Sequence, residues 1–212
     1  MQPGIGRPDF YQNREVVKSY HLRYESGIAK WKNERKKAIL SGWMRRAQPA
    51  RMLDVACGPA RLYDIYRDYH PVSCDLSFEM LEEFSAGHPE AELVRADAAA
   101  LPFASRSFDL VVAIRFLAHL RGEYRRRVLD ELVRVSRRYV ILDGRHRYNL
   151  RFFSRWLRRR LRLSHADKLR HTYGQFRAEL SAAGLHVREF RSVGWGLSAR
   201  FVMLCEISTS GR

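Results

Sequence analysis

Three aspartates carry the chemistry most readily read from this chain. Asp54 ends the apolar run Arg51-Met-Leu-Asp54 and leads into the small-residue turn Val55-Ala-Cys-Gly-Pro-Ala60. Asp75 follows twenty-one residues later, at the end of Pro71-Val-Ser-Cys-Asp75, and Asp97 stands in Arg95-Ala-Asp97-Ala-Ala-Ala-Leu-Pro-Phe103. A strand that ends in a small-residue turn lets backbone N–H groups approach a nucleoside, and an acid after the next strand can accept from a ribose diol. Singly, each aspartate reads equally well as a helix cap or strand-end turn. Three of them in this order, each behind an apolar run, point to a shared ligand. A dinucleotide fits poorly, because Gly58-Pro-Ala-Arg-Leu-Tyr63 lacks the second and third glycines of Gly-x-Gly-x-x-Gly.

The elements that must position these acids follow from the apolar pattern. Strand-like runs lie at 51–55, 71–74, 91–95, 108–114, 137–143, 185–191 and 199–207, with helical patterns at 60–69, 77–87, 121–136 and 172–183. Residues 9–47 read as two helices broken near Ser26-Gly27. Short strands alternating with helices predict an α/β fold, a parallel sheet covered on both faces. Ser192 to Ser198 is too short for a crossover helix, so the last two strands are expected to form an antiparallel hairpin. Pro59 after Gly58 marks a helix start, and Thr172-Tyr-Gly-Gln175 reads as a capping box.

These motifs resemble the class I S-adenosylmethionine-dependent methyltransferases, in particular their type 11-like domains. Arg51 to Arg61 is similar to the family's first motif, Asp75 to its second, Asp97 to Phe103 to its third-strand loop, and Ser107 to Ile114 to its fourth strand. Leu117-Ala-His-Leu120 matches a signature found after that strand, and Phe176 to Leu185 resembles the helix before the sixth. The resemblance implies a Rossmann-like, mostly parallel seven-stranded sheet with helices on both faces and an antiparallel C-terminal hairpin. It implies a helical cap (1–48) over the cofactor cleft, a methyltransferase domain (49–212) and a variable basic lid helix (145–171). It also implies S-adenosyl-L-methionine as cofactor. Asp54 would orient the first turn and reach the methionine amine through water. The backbone at Ala56 and Gly58 would pass beside the ligand, Asp75 would hold the ribose, and Leu76 and Met80 would lie against the adenine. Asp97 would accept from the adenine amino group and the Ala98 N–H would donate to the ring. Ala60 departs from the pattern, which has a glycine there.

Methyl transfer from a sulfonium needs chiefly alignment and, for some nucleophiles, removal of a proton. By the resemblance, Arg115 and His119 face the methyl group. His119 is the candidate general base, and Arg115 the candidate clamp for cofactor or for a substrate carboxylate or phosphate. Each has a plainer reading, as a core or capping histidine and as a solvent-reaching arginine. Tyr11, Tyr20 and Tyr24 could close over the cleft, where an aromatic face favours a sulfonium, or could simply pack.

A chain of 212 residues that is 46% hydrophobic has room for one domain with a substantial core. No run of about twenty apolar residues occurs and Met1 to Arg7 does not read as a secretion signal, so a cytoplasmic protein is expected. Cys57, Cys74 and Cys205 read as reduced core thiols, and the spacing of Cys and His offers no zinc cluster. The net charge of +16 suits nucleic acid, anionic lipid or an acidic metabolite, and equally an arginine-rich protein with no special partner. Arg145 to Arg170 holds ten Lys/Arg residues and one acid, Asp167. Within it Leu150, Phe153, Leu157 and Leu161 share one helical face, so 148–163 reads as a substrate lid or as a peripheral contact with the inner membrane face. The function expected is methyl transfer to a small or lipid-linked, anionic acceptor. The alternatives are an RNA methyltransferase and a non-catalytic binding subunit of the same fold; the oligomeric state stays open.

Overall fold

The computed structural model describes residues 14–20, 26–145, 172–194 and 200–208. Among these, β1 (Met52–Val55), β2 (Pro71–Asp75), β3 (Glu92–Arg95), β4 (Phe108–Ala113), β5 (Ser136–Arg145), β6 (Leu185–Ser192) and β7 (Arg200–Ile207) form one seven-stranded sheet in the order β3-β2-β1-β4-β5-β7-β6. All seven expected strands are present. The first five run parallel to one another, while β7 inserts antiparallel between β5 and β6. The chain leaves β1 toward β2 and β3, then returns to place β4 on the other side of β1. That reversal opens a crevice at the carboxyl ends of the two central strands, the usual ligand position in such sheets.

Alternation along the strands divides the core into two layers. Leu53, Val55, Val111, Ala113, Val140 and Leu142 face one side, against α4 (Gly122–Val135) and α5 (Tyr173–Ala182). Met52, Leu110, Val112 and Ile141 face the other, against α2 (Gly27–Ala47) and the turns after β1. α3 (Phe78–Gly87) adds Leu81 and Phe84 to this second layer, and α1 (Arg14–Lys18) packs near α3. Burying each such side chain contributes roughly 1.5–3 kcal/mol, so covering both faces is what makes a parallel sheet stable.

Helix ends follow local chemistry. Gln48 adopts a left-handed φ of 42° and donates its N–H to the Met44 carbonyl, closing α2 one residue before Pro49. The Ser77 side chain accepts from the Met80 N–H at the start of α3. The capping box read at Thr172 is present with both of its bonds. No described helix is long and apolar enough to cross a membrane.

The expected helix over 60–69 is not formed. Two 3-10 turns, Tyr63–Ile65 and Arg67–Tyr69, occupy it instead. Ala60, at φ 63°, cannot begin a right-handed helix, so Pro59 is not a first-turn residue, and Tyr66 at φ −136° interrupts the segment. Leu62, Tyr63 and Tyr66 are all buried. An aromatic-rich stretch of modest helix propensity has traded helical hydrogen bonds for core contacts.

Candidate functional site

Two left-handed residues shape the turn at the end of β1, Ala56 (φ 57°) and Gly58 (φ 59°). This conformation is easy for glycine and costs an alanine about 1 kcal/mol or more. It turns the Gly58 N–H onto Asp75 Oδ2 at 2.9 Å, while Oδ1 accepts from the Ser77 N–H at 3.0 Å. Asp75 thus ties the turn after β1 to the start of α3. Burial raises its pKa against the lowering effect of those N–H donors.

A cavity opens between these turns and the loop after β4. Its wall includes Ala56, Gly58, Asp75, Leu76, Ser77, Met80 and Ala98 on one side and Ile114, Arg115, Phe116, His119 and Leu120 on the other. Tyr20 and Tyr124 also reach it. Of the expected residues, Ala56, Gly58, Asp75, Leu76, Met80, Ala98, Arg115, His119 and Tyr20 therefore converge on one hollow. Tyr11 and Tyr24, and the segment 146–171 with its expected lid, lie outside the described residues.

Asp54, expected to reach the cofactor through water, and Asp97, expected at the adenine amino group, are not among the residues that line the cavity. Asp54 is 3% exposed and accepts a short hydrogen bond from the Tyr66 hydroxyl. Burial holds its carboxyl well above the usual range, opposed by Arg61 and reinforced by Asp75. Asp97 accepts from the Tyr124 hydroxyl at 2.5 Å and from the Ala99 N–H at 2.9 Å. Each acid is thus held by a tyrosine hydroxyl, Asp54 by Tyr66 in the core and Asp97 by Tyr124 at the cavity. Tyr124, lodged in α4, also lines the cavity; burial, then its bond to Asp97, pushes its hydroxyl pKa up, so it stays protonated.

The loop after β4 is anchored by a residue that the sequence reading passed over. Asp143, 6% exposed in β5, accepts from the Arg115 N–H at 2.5 Å and from Lys36 Nζ of α2 at 2.8 Å. Burial pushes its carboxyl up, but Lys36 and the Arg115 N–H outweigh that and leave it below the usual range. Lys36 falls to about 8 through burial, with Asp143 opposing. The signal was available: Tyr139-Val-Ile-Leu-Asp143 is an apolar run ending in a carboxylate, like those of Asp54 and Asp75. Arg115 itself has φ 65°, so its backbone is held in a strained conformation at the cavity wall. His119 sits in the 3-10 turn Leu117–His119, whose Leu117 carbonyl accepts from the buried Arg125 of α4.

The cavity thus combines backbone from two left-handed residues, a half-buried acid at the end of β2, apolar walls from α3, and an arginine and a histidine after β4. Such a site can take up a nucleoside on one side and present a cation and an imidazole on the other.

Comparison with known proteins agrees with this geometry. Residues 53–142 match the family model described as a methyltransferase domain. Two curated relatives are demethylmenaquinone methyltransferases. The one from Renibacterium salmoninarum is 34% identical over 89 residues, and the one from Paenarthrobacter aurescens is 33% identical over 101. These matches span 41% and 45% of this chain, and only 37% and 39% of the relatives' own lengths. Among solved structures, magnesium protoporphyrin IX methyltransferase from Synechocystis with bound SAH superposes with a TM-score of 0.74 at 15% identity, over 94% of this chain and 97% of that one. A protein from Pyrococcus horikoshii gives 0.70 at 17% identity, over 92% and 99%. The chain thus shares the fold of these solved structures, and its residues 53–142, which hold the crevice at the switch point, match a methyltransferase domain.

Proposed function

We propose that the chain binds S-adenosyl-L-methionine and transfers its methyl group to a small or lipid-linked, anionic acceptor. The observation that carries the reading is the convergence of Gly58, Asp75, Met80, Arg115 and His119 on one cavity. In that cavity Asp75, already fixed by the N–H groups of Gly58 and Ser77, receives the ribose hydroxyls, and Leu76 and Met80 take the adenine face. The bound cofactor supplies an activated methyl carbon. The protein's part is to align an acceptor atom in line with the departing sulfur, with His119 placed to remove a proton. Arg115 meets the acceptor's negative charge. Tyr124 and Asp97 hold the far wall, and Tyr20 closes the near one.

Two of the similar proteins, a demethylmenaquinone methyltransferase and a magnesium protoporphyrin IX methyltransferase, are methyltransferases of small molecules, which supports a small-molecule acceptor. The experiment is an incubation of cell extract with the protein and methyl-deuterated S-adenosylmethionine, followed by mass spectrometry. A small anionic or lipid-soluble product that carries the labelled methyl group is expected. Label found in RNA alone, or in no product, would contradict the acceptor class. His119→Ala is expected to lose turnover most at the pH where the imidazole is neutral, and an unchanged pH profile would remove the general-base role.

A further inference from the structure

Lys36 of α2 and Asp143 of β5 form an ion pair of 2.8 Å in which both side chains are buried. Such a pair adds little stability over apolar side chains of the same volume, because the desolvation of two charges offsets their attraction. What the pair touches is more telling. Ala113, the last residue of β4, pairs with Leu142, so Asp143 stands one step past the final rung of that ladder, beside the chain as it leaves β4. Oδ2 of Asp143 accepts from Lys36 Nζ, and Oδ1 accepts from the Arg115 N–H at 2.5 Å.

Arg115 depends on this hold. Its φ of 65° is a conformation that a non-glycine residue keeps only where its surroundings fix it, and an N–H bonded to an ionised carboxylate is a strong fixture. The ionisation depends in turn on Lys36. Burial pushes the Asp143 carboxyl up, and Lys36 is the foremost of the groups that bring it below the usual range. Without the lysine, a buried carboxyl would take up a proton and grip the Arg115 N–H less firmly. Contacts therefore run from α2 through β5 to Arg115, which lines the cavity together with Ile114 and Phe116. β2 and β4 flank β1 on opposite sides, so this stretch of wall lies across from Asp75. With the ribose on Asp75 and the adenine on Leu76 and Met80, the rest of the cofactor extends toward the loop after β4.

We infer that Lys36 and Asp143 are positioning residues for the half of the cofactor beyond the ribose: by fixing the Arg115 peptide they set the wall against which the sulfur and its amino-acid tail lie. The inference rests on the proposed cofactor, and it concerns the tail end of the cavity alone.

The test is calorimetry of the full chain with two probes, S-adenosylhomocysteine and 5′-methylthioadenosine. The second keeps the adenosine and the sulfur but ends in a methyl group where the first carries its amino-acid tail. Any general loss of folded protein affects both probes alike and leaves the ratio of their affinities unchanged. Lys36→Met and Asp143→Ala are expected to weaken S-adenosylhomocysteine about tenfold and to leave 5′-methylthioadenosine within about twofold of the parent. Asp143→Asn, whose amide oxygen can still accept from the Arg115 N–H, should lie between the parent and Asp143→Ala. Lys37→Met, which breaks the neighbouring pair of Lys37 with Asp64, should change neither probe. Lys36→Met combined with Asp143→Leu should regain melting temperature over Lys36→Met alone, since no charge is left buried, and should not regain affinity for S-adenosylhomocysteine. Equal losses for both probes in Lys36→Met and Asp143→Ala would make the pair merely structural and overturn the inference. Unchanged affinity for both probes, or a double variant that regains S-adenosylhomocysteine, would overturn it too. If the parent binds neither probe, the cofactor reading itself falls and the inference with it; if the parent binds both and the variants keep their ratio, the inference alone falls.

Discussion

A single methyl group bears on the turn after β1. Ala60 occupies a left-handed conformation with φ 63°, which costs a non-glycine residue about 1–2 kcal/mol. Ala60→Gly should therefore stabilise the protein by up to about 1 kcal/mol once the more flexible unfolded chain is counted. Urea unfolding measures it, and a clear loss of stability would contradict the left-handed turn. Asp54 gives a pH-dependent prediction. Its folded pKa lies above the unfolded value near 3.8, chiefly through burial, so ionising it opposes folding. Relative to wild type, Asp54→Asn should gain stability as the pH rises above about 4, levelling off once the folded-state carboxyl has ionised. Melting curves at pH 4, 5.5 and 7 check the sign, and a gap that narrows with rising pH would contradict it. The three acids were legible in the sequence because each closes an apolar run. Their partners were not: the hydroxyls of Tyr66 and Tyr124 come from 12 and 27 residues away, and only the folded chain brings them to Asp54 and Asp97.

Between elements, the turn that carries His119 is held by one buried cation. Arg125 of α4 forks onto Glu179 of α5, with 2.8 Å between Nη2 and Oε2, and also donates to the Leu117 carbonyl. Arg125→Ala should cost about 3 kcal/mol, because it strands Glu179 and the carbonyl together. Replacing both partners, Arg125→Met with Glu179→Leu, should recover much of that loss in chemical denaturation, and a double variant no better than the single would contradict this origin. Gly144 of β5 makes a second element-level demand. A Cβ there would overlap the ring of Phe201 on β7 and lie 3.3 Å from Cε1 of Phe176 on α5. Gly144→Ala should destabilise by roughly 1–3 kcal/mol through overpacking. Sequence periodicity found each of the described strands, because buried strands leave short apolar runs that little else imitates. It misjudged 60–69, because the apolar spacing there serves docking of Leu62, Tyr63 and Tyr66 into the core, with Ala60 preventing the first helical turn.

At the scale of the whole molecule, the doubly covered sheet was readable from the alternation of strands and helices, and the antiparallel hairpin from the short connection between the last two strands. The buried pair of Lys36 and Asp143 was not, since it joins α2 and β5 across more than a hundred residues of chain. A net charge of +16 should also make the molecule self-repelling, so moderate salt is expected to raise its melting temperature, and a fall would contradict that. The central claim is that the hollow at the switch point holds an adenosyl cofactor whose ribose rests on Asp75. Calorimetry of the purified chain with S-adenosylhomocysteine tests it most directly. The account predicts one-to-one binding that falls at least about tenfold in Asp75→Ala, the loss expected for a charged hydrogen-bonding partner. Absence of binding to the folded parent protein, or equal binding by Asp75→Ala, would contradict it.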